Sequence, residues 1–127
     1  MAIEFLELAE VLEIHQDQIE RYGGTHGMRE IGLLESALAM PRAGLGGEYF
    51  HSDVFEMAAA YLFHIVKNHP FVDGNKRVGA AAAIVFLLTN GIDVRIRNES
   101  LVALVLGVAT GKRSKAEVAA FFKRHSE

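Results

Sequence analysis

The sequence predicts an all-α protein, a compact bundle of about six helices around a buried central helix, with a short loop or hairpin flap. Two observations favour this fold class. Apolar residues recur at helical spacing in successive segments. Residues 75–89 are apolar on almost every side, as expected of a helix that other helices surround. The connections are short and there is no internal repeat, so we expect residues 1–127 to form a single domain.

The first two predicted helices end at glycine and proline. The first has an apolar stripe with acidic residues opposite, and it stops at Gly23-Gly24. The second covers residues 33–40 and ends before Pro41, because helical geometry is disfavoured for a residue that precedes proline. Residues 43–51 are rich in glycine and aromatic residues, which suits a mobile loop or a short hairpin.

The third helix is predicted to lead directly into the central one. Asp53 and Glu56 have the spacing of a capping box, which predicts a helix from there to about Asn68. His69 precedes a proline and ends it. The central helix follows over residues 75–89, and its small residues allow neighbouring helices to approach closely.

Two further helices complete the predicted fold. A brief extended piece over residues 93–97 precedes an apolar helix over residues 99–110. Ser114 and Glu117 have capping-box spacing and predict a final helix that ends near His125.

Composition excludes several classes of protein and site. The net charge of −3 argues against direct nucleic-acid binding through a broad basic surface. The absence of cysteine excludes disulfides, thiolate metal sites and a cysteine nucleophile. The first residues lack the basic start of a signal peptide. The longest apolar run, residues 80–88, is shorter than the ~20 residues that cross a bilayer. These features predict a soluble cytoplasmic protein without a membrane partner.

The segment between the third and central helices has the composition of a phosphate site. A helix that begins at Asn75 directs unpaired N–H groups and the positive end of its dipole outward, a geometry that binds phosphate. Gly74 lets the backbone come close to a ligand. Lys76 and Arg77 can neutralise phosphate oxygens. We therefore expect a phosphate-binding site here.

Two further residues of this segment suggest catalysis. Asp73 offers a hard oxygen ligand for Mg²⁺ that bridges phosphates. His69 lies on the loop, where it can take a proton from an attacking hydroxyl. Each residue alone has an ordinary alternative, a turn histidine or an N-cap. Together they favour an active site, because an exposed turn requires no adjacent base, acid, amide and cations.

This loop resembles the motif of the Fic/Doc family, His-Pro-Phe-x-Asp/Glu-Gly-Asn-Gly-Arg-x-x-Arg. The corresponding residues are His69-Pro70-Phe71-Val72-Asp73-Gly74-Asn75-Lys76-Arg77-Val78-Gly79-Ala80. The resemblance implies that His69 is the general base, that Phe71 anchors the loop in the core and that Asp73 holds Mg²⁺. It also implies that Asn75 and Arg77 contact the phosphates of ATP.

Two departures from the motif point to one branch of the family. Lys76 replaces the last glycine and Ala80 replaces the second arginine, and both changes are found in the Doc (death-on-curing) branch, the toxins of toxin–antitoxin pairs. Without that arginine, ATP can bind in the reverse orientation and present its γ-phosphoryl group to the target hydroxyl. The resemblance therefore implies a protein kinase rather than an AMP transferase.

The same resemblance implies a target and an inhibitor. Members of the branch phosphorylate a threonine of elongation factor Tu, which stops translation. Many family members inhibit themselves through a Ser/Thr-x-x-x-Glu-Gly/Asn helix, but here the nearest match, Ser52 to Glu56, is followed by Met57. We therefore expect inhibition by an antitoxin that binds in trans, and we expect the antitoxin rather than this protein to contact DNA.

Two alternatives remain open from the sequence. One is a Fic-type AMP transferase that modifies a protein hydroxyl. The other is a module that keeps the fold and binds nucleotide or a partner without catalysis, although the intact His69 argues against it.

Residues outside the motif received separate interpretations. Residues 44–50 match the position of the family's target-docking flap, with a plain loop as the alternative. His15 is interpreted as a hydrogen-bonded core histidine, and a metal cluster that joins His64 to Asp73 is disfavoured because Pro70 interrupts the helix between them. Residues 101–108 are assigned to the core, with part available for an antitoxin groove, and the basic residues between 112 and 124 are expected to form a solvated face.

Overall fold

The computed structural model describes residues 2–127 and contains six α-helices and one two-stranded antiparallel hairpin in that range. The elements are α1 (Leu8–Tyr22), α2 (Ile31–Ala39), β1 (Gly44–Leu45), β2 (Glu48–Tyr49), α3 (Val54–Asn68), α4 (Asn75–Thr89), α5 (Asn98–Ala109) and α6 (Lys115–Arg124). The all-α prediction is confirmed. The predicted extended piece, residues 93–97, contributes a bridge between Val94 and Ser126.

The centre of the fold is the contact between α3 and α4. Gly79 of α4 lies against Leu62 and Val66 of α3. A Cβ atom at position 79 would lie 2.9 Å from Val66 Cγ2 and 3.2 Å from Leu62 O, so only glycine allows the two helices to pack this closely. The expected close approach to the central helix is confirmed at this contact.

The central helix α4 has the predicted bounds, but it is not enclosed on every side. It packs against α1, α3 and α5. Val85 and Leu88 of α4 are nevertheless 36% and 61% exposed, and Val102 and Leu106 of α5 are each 48% exposed. An apolar groove, lined by Ile84 of α4 and by Val102 and Leu106 of α5, remains open beside α4. Despite this apolar surface, no helix within residues 2–127 combines the length and the hydrophobicity needed to cross a membrane.

Two predicted capping boxes have different outcomes. Ser114 Oγ accepts the Glu117 N–H at 3.1 Å and a Glu117 carboxylate oxygen accepts the Ser114 N–H at 2.9 Å, so this box is confirmed. Asp53 accepts the Glu56 N–H at 2.8 Å, which is half of the predicted box. The other half is wrong, because Glu56 accepts from the N–H and hydroxyl of Ser52 instead, at 3.1 and 2.7 Å.

Two helix boundaries also differ slightly from the predicted ones. Helix α2 begins at Ile31 rather than at residue 33, and α5 begins at Asn98 rather than at residue 99. Neither start has a side-chain cap that could mark it in the sequence.

The glycine-rich segment forms the hairpin that was one of its two predicted structures. Gly44 pairs with Tyr49, and Leu45 with Glu48. Leu45, Tyr49 and Phe50 are 79%, 47% and 68% exposed, so the hairpin presents apolar side chains to solvent. The ring of Phe5 makes an edge contact with Tyr49, at 5.4 Å between centroids, and ties the hairpin to the body of the protein.

Candidate active site

His69 directly follows α3, and its side chain is exposed. Its φ of 53° and ψ of 55° are left-handed, and within residues 2–127 it is the only residue other than glycine with a positive φ. The expectation that it leaves helical geometry before Pro70 is confirmed, although it enters the left-handed rather than the extended region. This conformation is strained without a glycine, so neighbouring contacts must maintain it.

The segment before α2 supplies such contacts. Arg29 donates from Nε to His69 O at 2.7 Å and from Nη2 to Asn68 O at 3.0 Å. The backbone N–H groups of Arg29 and Glu30 both donate to Pro70 O, at 2.8 and 3.1 Å. The sequence analysis did not identify Arg29, because its side-chain partners lie 40 and 39 positions away and no local pattern marks them.

The same segment pairs with the residues after Pro70. Met28 and Phe71 form an antiparallel bridge, and the Val72 N–H donates to Gly27 O at 3.0 Å. Residues 27–30 therefore lie along residues 68–72 like a short strand. The backbone of the loop is fixed by this pairing before any ligand is bound.

His15 of α1 supports the loop from the other side. It is 6% exposed, and its Nε2 lies 2.9 Å from Asp73 O. Because a carbonyl only accepts, the imidazole is the donor. The interpretation of His15 as a hydrogen-bonded core histidine is confirmed, and its partner is the backbone of the candidate site.

The carboxylate of Asp73 is held in an ionised and oriented state. Oδ2 accepts the Thr25 N–H at 3.0 Å and Oδ1 accepts the Gly74 N–H at 2.9 Å. These two bonds, together with the nearby charge of Arg77, keep the pKa of the Asp73 carboxyl below its usual value. Each oxygen has a further lone pair available to a cation. Thr25 was not identified from the sequence, since it acts through its backbone at a distance of 48 positions.

Asn75 closes the loop on itself. Its side chain accepts the Phe71 N–H through Oδ1 and donates from Nδ2 to Phe71 O, both at 2.9 Å, and the residue is only 4% exposed. Phe71 is itself 1% exposed. Oδ1 and one N–H of Nδ2 are therefore occupied by the loop, whereas the backbone N–H of Asn75 has no partner within the loop.

The N-terminus of α4 presents three backbone N–H groups of the kind that bind an anion. The N–H groups of Asn75, Lys76 and Arg77 lie in the first turn, where a helix offers no acceptor. Within residues 2–127 the structure provides no other acceptor for them. Gly74 precedes them with a φ of 81°, a conformation that glycine adopts without strain. The positive end of the helix dipole adds to this site.

The two cations of the loop are arranged differently. Lys76 is exposed, whereas Arg77 is partly buried and donates weakly to Gln18 O at 3.4 Å. A Cβ atom at Gly24 would lie 2.6 Å from Asp73 Oδ2 and 3.1 Å from Arg77 Nη2, so glycine is required beside both groups. Within the described residues neither cation has a carboxylate partner within 4.0 Å. Both remain available to an anionic ligand.

A cavity of about 660 Å³ begins at these cations and continues along the open side of α4. Lys76, Arg77 and Ala80 lie at one end, and Val102 and Leu106 of α5 line the apolar remainder. The cavity therefore connects Lys76 and Arg77 to the apolar groove, whereas His69, Asp73, Gly74 and Asn75 do not line it.

His64 belongs to a separate cluster. Its Nε2 lies 3.0 Å from Lys115 Nζ of α6. Burial, followed by the charges of Lys115 and His51, lowers the pKa of His64 to about 4. Among residues 2–127, no group of three or more His, Asp or Glu residues could hold a metal ion by itself. Lys115 is thus partly buried, which corrects the expectation that it lies on a solvated basic face.

Comparison with known proteins gives a consistent result. A family model described as the Fic/DOC family matches residues 5–87. The protein named Protein kinase doc, from Escherichia phage P1, is 36% identical over 115 residues, which cover 91% of this chain and 90% of the relative. The protein named Toxin Doc, from Mycolicibacterium smegmatis, is 41% identical over 73 residues, which cover 58% of this chain and 56% of the relative.

Proposed function

The chain belongs to the Fic/DOC family, and from that premise we propose that it is the toxin of a toxin–antitoxin system. We propose further that it is a protein kinase, which transfers the γ-phosphoryl group of ATP to a hydroxyl side chain. The names of the relatives, Protein kinase doc and Toxin Doc, support this proposal. The structural support is the loop over residues 69–77.

The observation on which the proposal chiefly rests is the anion site at the start of α4. Three unpaired N–H groups, from Asn75, Lys76 and Arg77, are suited to phosphate oxygens. The side chains of Lys76 and Arg77 supply positive charge at the same place. Gly74 leaves the approach open. In this arrangement Asn75 contributes its backbone to nucleotide binding and its side chain to the shape of the loop.

Asp73 fits the role of Mg²⁺ ligand. Its carboxylate is ionised, is oriented by two backbone N–H groups and keeps free lone pairs on hard oxygen atoms. When bound, Mg²⁺ supplies neutralisation of the phosphate charge. The hydrogen bonds from Thr25 and Gly74 hold the carboxylate in one orientation for that ion.

His69 acts as the general base in the proposed reaction. Its exposed imidazole removes the proton of the target hydroxyl, and the resulting oxygen bonds to the γ-phosphorus. The bond from that phosphorus to the oxygen bridging to the β-phosphorus breaks, and ADP leaves. The imidazolium of His69 then releases its proton to solvent.

Ala80 and Lys76 favour phosphoryl transfer over AMP transfer. Ala80 lines the same cavity as Lys76 and Arg77, at the position where the family motif has an arginine that would fix the far end of a triphosphate. Lys76 adds a cation at the near end. ATP bound with its γ-phosphate at the loop then faces the target hydroxyl.

The exposed hairpin is the proposed docking site for the protein substrate. An extended target segment can align on its edge, where Leu45 and Phe50 offer apolar contacts. Elongation factor Tu, modified on a threonine in the cytoplasm, is the substrate we propose from the family resemblance.

The test uses the purified protein, elongation factor Tu and ATP labelled at either the α- or the γ-phosphate. We expect label on the factor only from γ-labelled ATP, and no label with the variant His69→Ala. Label from the α-phosphate alone would replace the kinase with an AMP transferase. A His69→Ala variant that inhibits bacterial growth as strongly as the parent would favour the non-catalytic module.

The apolar groove beside α4 is the proposed binding site of the antitoxin. Val102 and Leu106 are each 48% exposed within it, and Lys76 and Arg77 lie at one end. These features fit an amphipathic segment whose apolar side chains enter the groove and whose acidic residue meets the cations. Glu56, the glutamate in the nearest match to the family's self-inhibitory motif, is bonded instead to Ser52 at the start of α3.

A further inference from the structure

We propose that Arg29 is a positioning residue for phosphoryl transfer, because its guanidinium fixes the backbone of His69 and thereby the direction of the imidazole. This inference rests on the proposed role of His69 as the general base. Arg29 is exposed and lies outside the family motif, in the segment that precedes α2.

The contacts of Arg29 are specific to a guanidinium. Nε donates to His69 O at 2.7 Å while Nη2 donates to Asn68 O at 3.0 Å. These are consecutive carbonyls at the end of α3, where the helix itself offers no donor. A planar fork can satisfy both at once, whereas an ammonium group cannot match the two directions with the same rigidity.

The backbone of His69 needs this support. Its φ of 53° is left-handed, a conformation that a residue with a side chain adopts only under restraint. The neighbouring Pro70 is held separately, through its carbonyl, by the N–H groups of Arg29 and Glu30. The side chain of Arg29 therefore restrains the one residue of the loop whose own dihedral angles direct the base.

The positive charge of Arg29 also suits its position at the end of α3. A cation at the C-terminus of a helix interacts favourably with the helix dipole. Within residues 2–127, no carboxylate forms an ion pair with Arg29. Its hydrogen bonds to Asn68 and His69 are consequently its main side-chain interactions.

The experiment measures the steady-state phosphorylation of elongation factor Tu by the variants Arg29→Ala and Arg29→Lys. We expect kcat to fall by up to about 100-fold in Arg29→Ala, because a misplaced base reacts slowly. Arg29→Lys should lose less. The KM for ATP should stay within roughly twofold of wild type, because Arg29 lies outside the anion site. Millimolar guanidinium should restore part of kcat to Arg29→Ala, and methylammonium should not.

The control is Arg95→Ala. Arg95 is also an exposed arginine, but it pairs with Glu127 at 2.9 Å, at the C-terminus of the chain. We expect its kcat to equal that of wild type. If Arg29→Ala fails to fold, as judged by circular dichroism, Arg29→Lys alone decides the question. Wild-type kcat in both Arg29 variants, or a raised KM for ATP with unchanged kcat, overturns the positioning role.

His69→Ala is measured in parallel to separate this inference from the proposed function. If His69→Ala remains as active as wild type, the proposed mechanism itself is wrong. If His69→Ala is inactive while the Arg29 variants keep full kcat, only the positioning role of Arg29 is wrong.

Discussion

The imidazole of His15 stacks face to face on the ring of Phe71, with 3.9 Å between the ring centroids and 5° between the ring planes. At the same time His15 donates from Nε2 to Asp73 O at 2.9 Å. One side chain of α1 therefore holds two points of the loop, the buried anchor and the backbone of the proposed Mg²⁺ ligand. The hydrogen bond can be removed without the stack.

His15→Phe should keep the stack and lose the hydrogen bond. We expect the free energy of unfolding to fall by about 1–2 kcal/mol, because the partly buried carbonyl of Asp73 loses its donor, and kcat to fall as well. His15→Ala also removes the stack and should cost about 3 kcal/mol. Urea denaturation and steady-state phosphorylation are the measurements.

His125→Phe is the matched control for that substitution. His125 also contacts an aromatic ring, at 4.3 Å from Phe121, and bonds a carbonyl through Nδ1 at 2.8 Å, but at the end of α6. The variant His125→Phe should be less stable than wild type, but its kcat should be unchanged. An unchanged kcat in His15→Phe would show that the bond to Asp73 plays no part in the geometry of the loop.

Gly79→Ala should destabilise the protein through the contact between α3 and α4. The new methyl group would meet Val66 Cγ2 at 2.9 Å and Leu62 O at 3.2 Å. We expect a loss of about 1–3 kcal/mol, as for other overpacked cores. Gly32→Ala is the control: its Cβ would meet only Glu30 Oε1, at 3.6 Å, and better helix propensity should stabilise α2 by up to about 1 kcal/mol. Thermal denaturation of both variants tests this, and equal midpoints would contradict it.

Stability should decrease as the pH falls from 6.5 to about 4, in part through His64. The pKa of His64 is about 4 in the folded protein, against an ordinary value of 6.5, chiefly because the residue is buried. Between these values the unfolded chain binds a proton that the folded protein excludes. Above pH 6.5 His64 is neutral in both the folded and the unfolded state, and below about pH 4 it is protonated in both. The pH dependence of stability that His64 causes is therefore confined to this window. His64 is only partly buried, so solvent screening reduces the effect and we expect a contribution of at most ~2 kcal/mol.

His64→Gln tests that contribution. Glutamine does not titrate, and it can still accept the hydrogen bond from Lys115. Urea denaturation at a series of pH values should give a flatter curve between 6.5 and 4 than wild type. The pKa of His51 is also lowered, by burial and by Lys115, so the variant should retain a smaller slope. A slope equal to that of wild type would exclude His64 as its source.

Leu106→Glu should separate toxicity from neutralisation. Leu106 is 48% exposed in the groove, so a charge there should cost little stability but prevent an apolar segment from binding. We expect unchanged phosphorylation of elongation factor Tu and a loss of antitoxin affinity of at least tenfold by calorimetry. Ala103→Glu, exposed on the same helix but outside the groove, is the control. Full affinity in Leu106→Glu would place the antitoxin elsewhere.

Local patterns in the sequence predicted the helices well where strong signals bound them. The central helix was predicted over residues 75–89, between an asparagine after a glycine and an Asn-Gly end, and the structure has the same bounds. The start of α2 at Ile31 was missed, since Glu30 at its N-cap makes no side-chain cap. The spacing of Asp53 and Glu56 was correct as a helix start, but Ser52 rather than the Asp53 N–H binds the Glu56 carboxylate.

The sequence predicts which residues of the loop make up the candidate site, but it does not predict the tertiary contacts that hold them in place. His69, Asp73 and Arg77 lie within nine residues of one another in the sequence, so the motif itself indicates their chemistry. Arg29 and Thr25 act on the loop from 40 and 48 positions away, through a guanidinium and a backbone N–H. Such contacts depend on tertiary packing, which residue spacing does not record.

Besides the bonds that Asn75 makes within it, the loop is held in shape by residues outside it, since His15, Thr25 and Arg29 are each bonded to it. If residues 69–77 were transplanted onto another helical protein, the sequence motif should therefore be present, but the loop should not adopt the same conformation. A working graft would have to include residues 15–30 as well, from the middle of α1 to the segment before α2. For protein engineering, the smallest transferable unit of this chemistry is two segments rather than one.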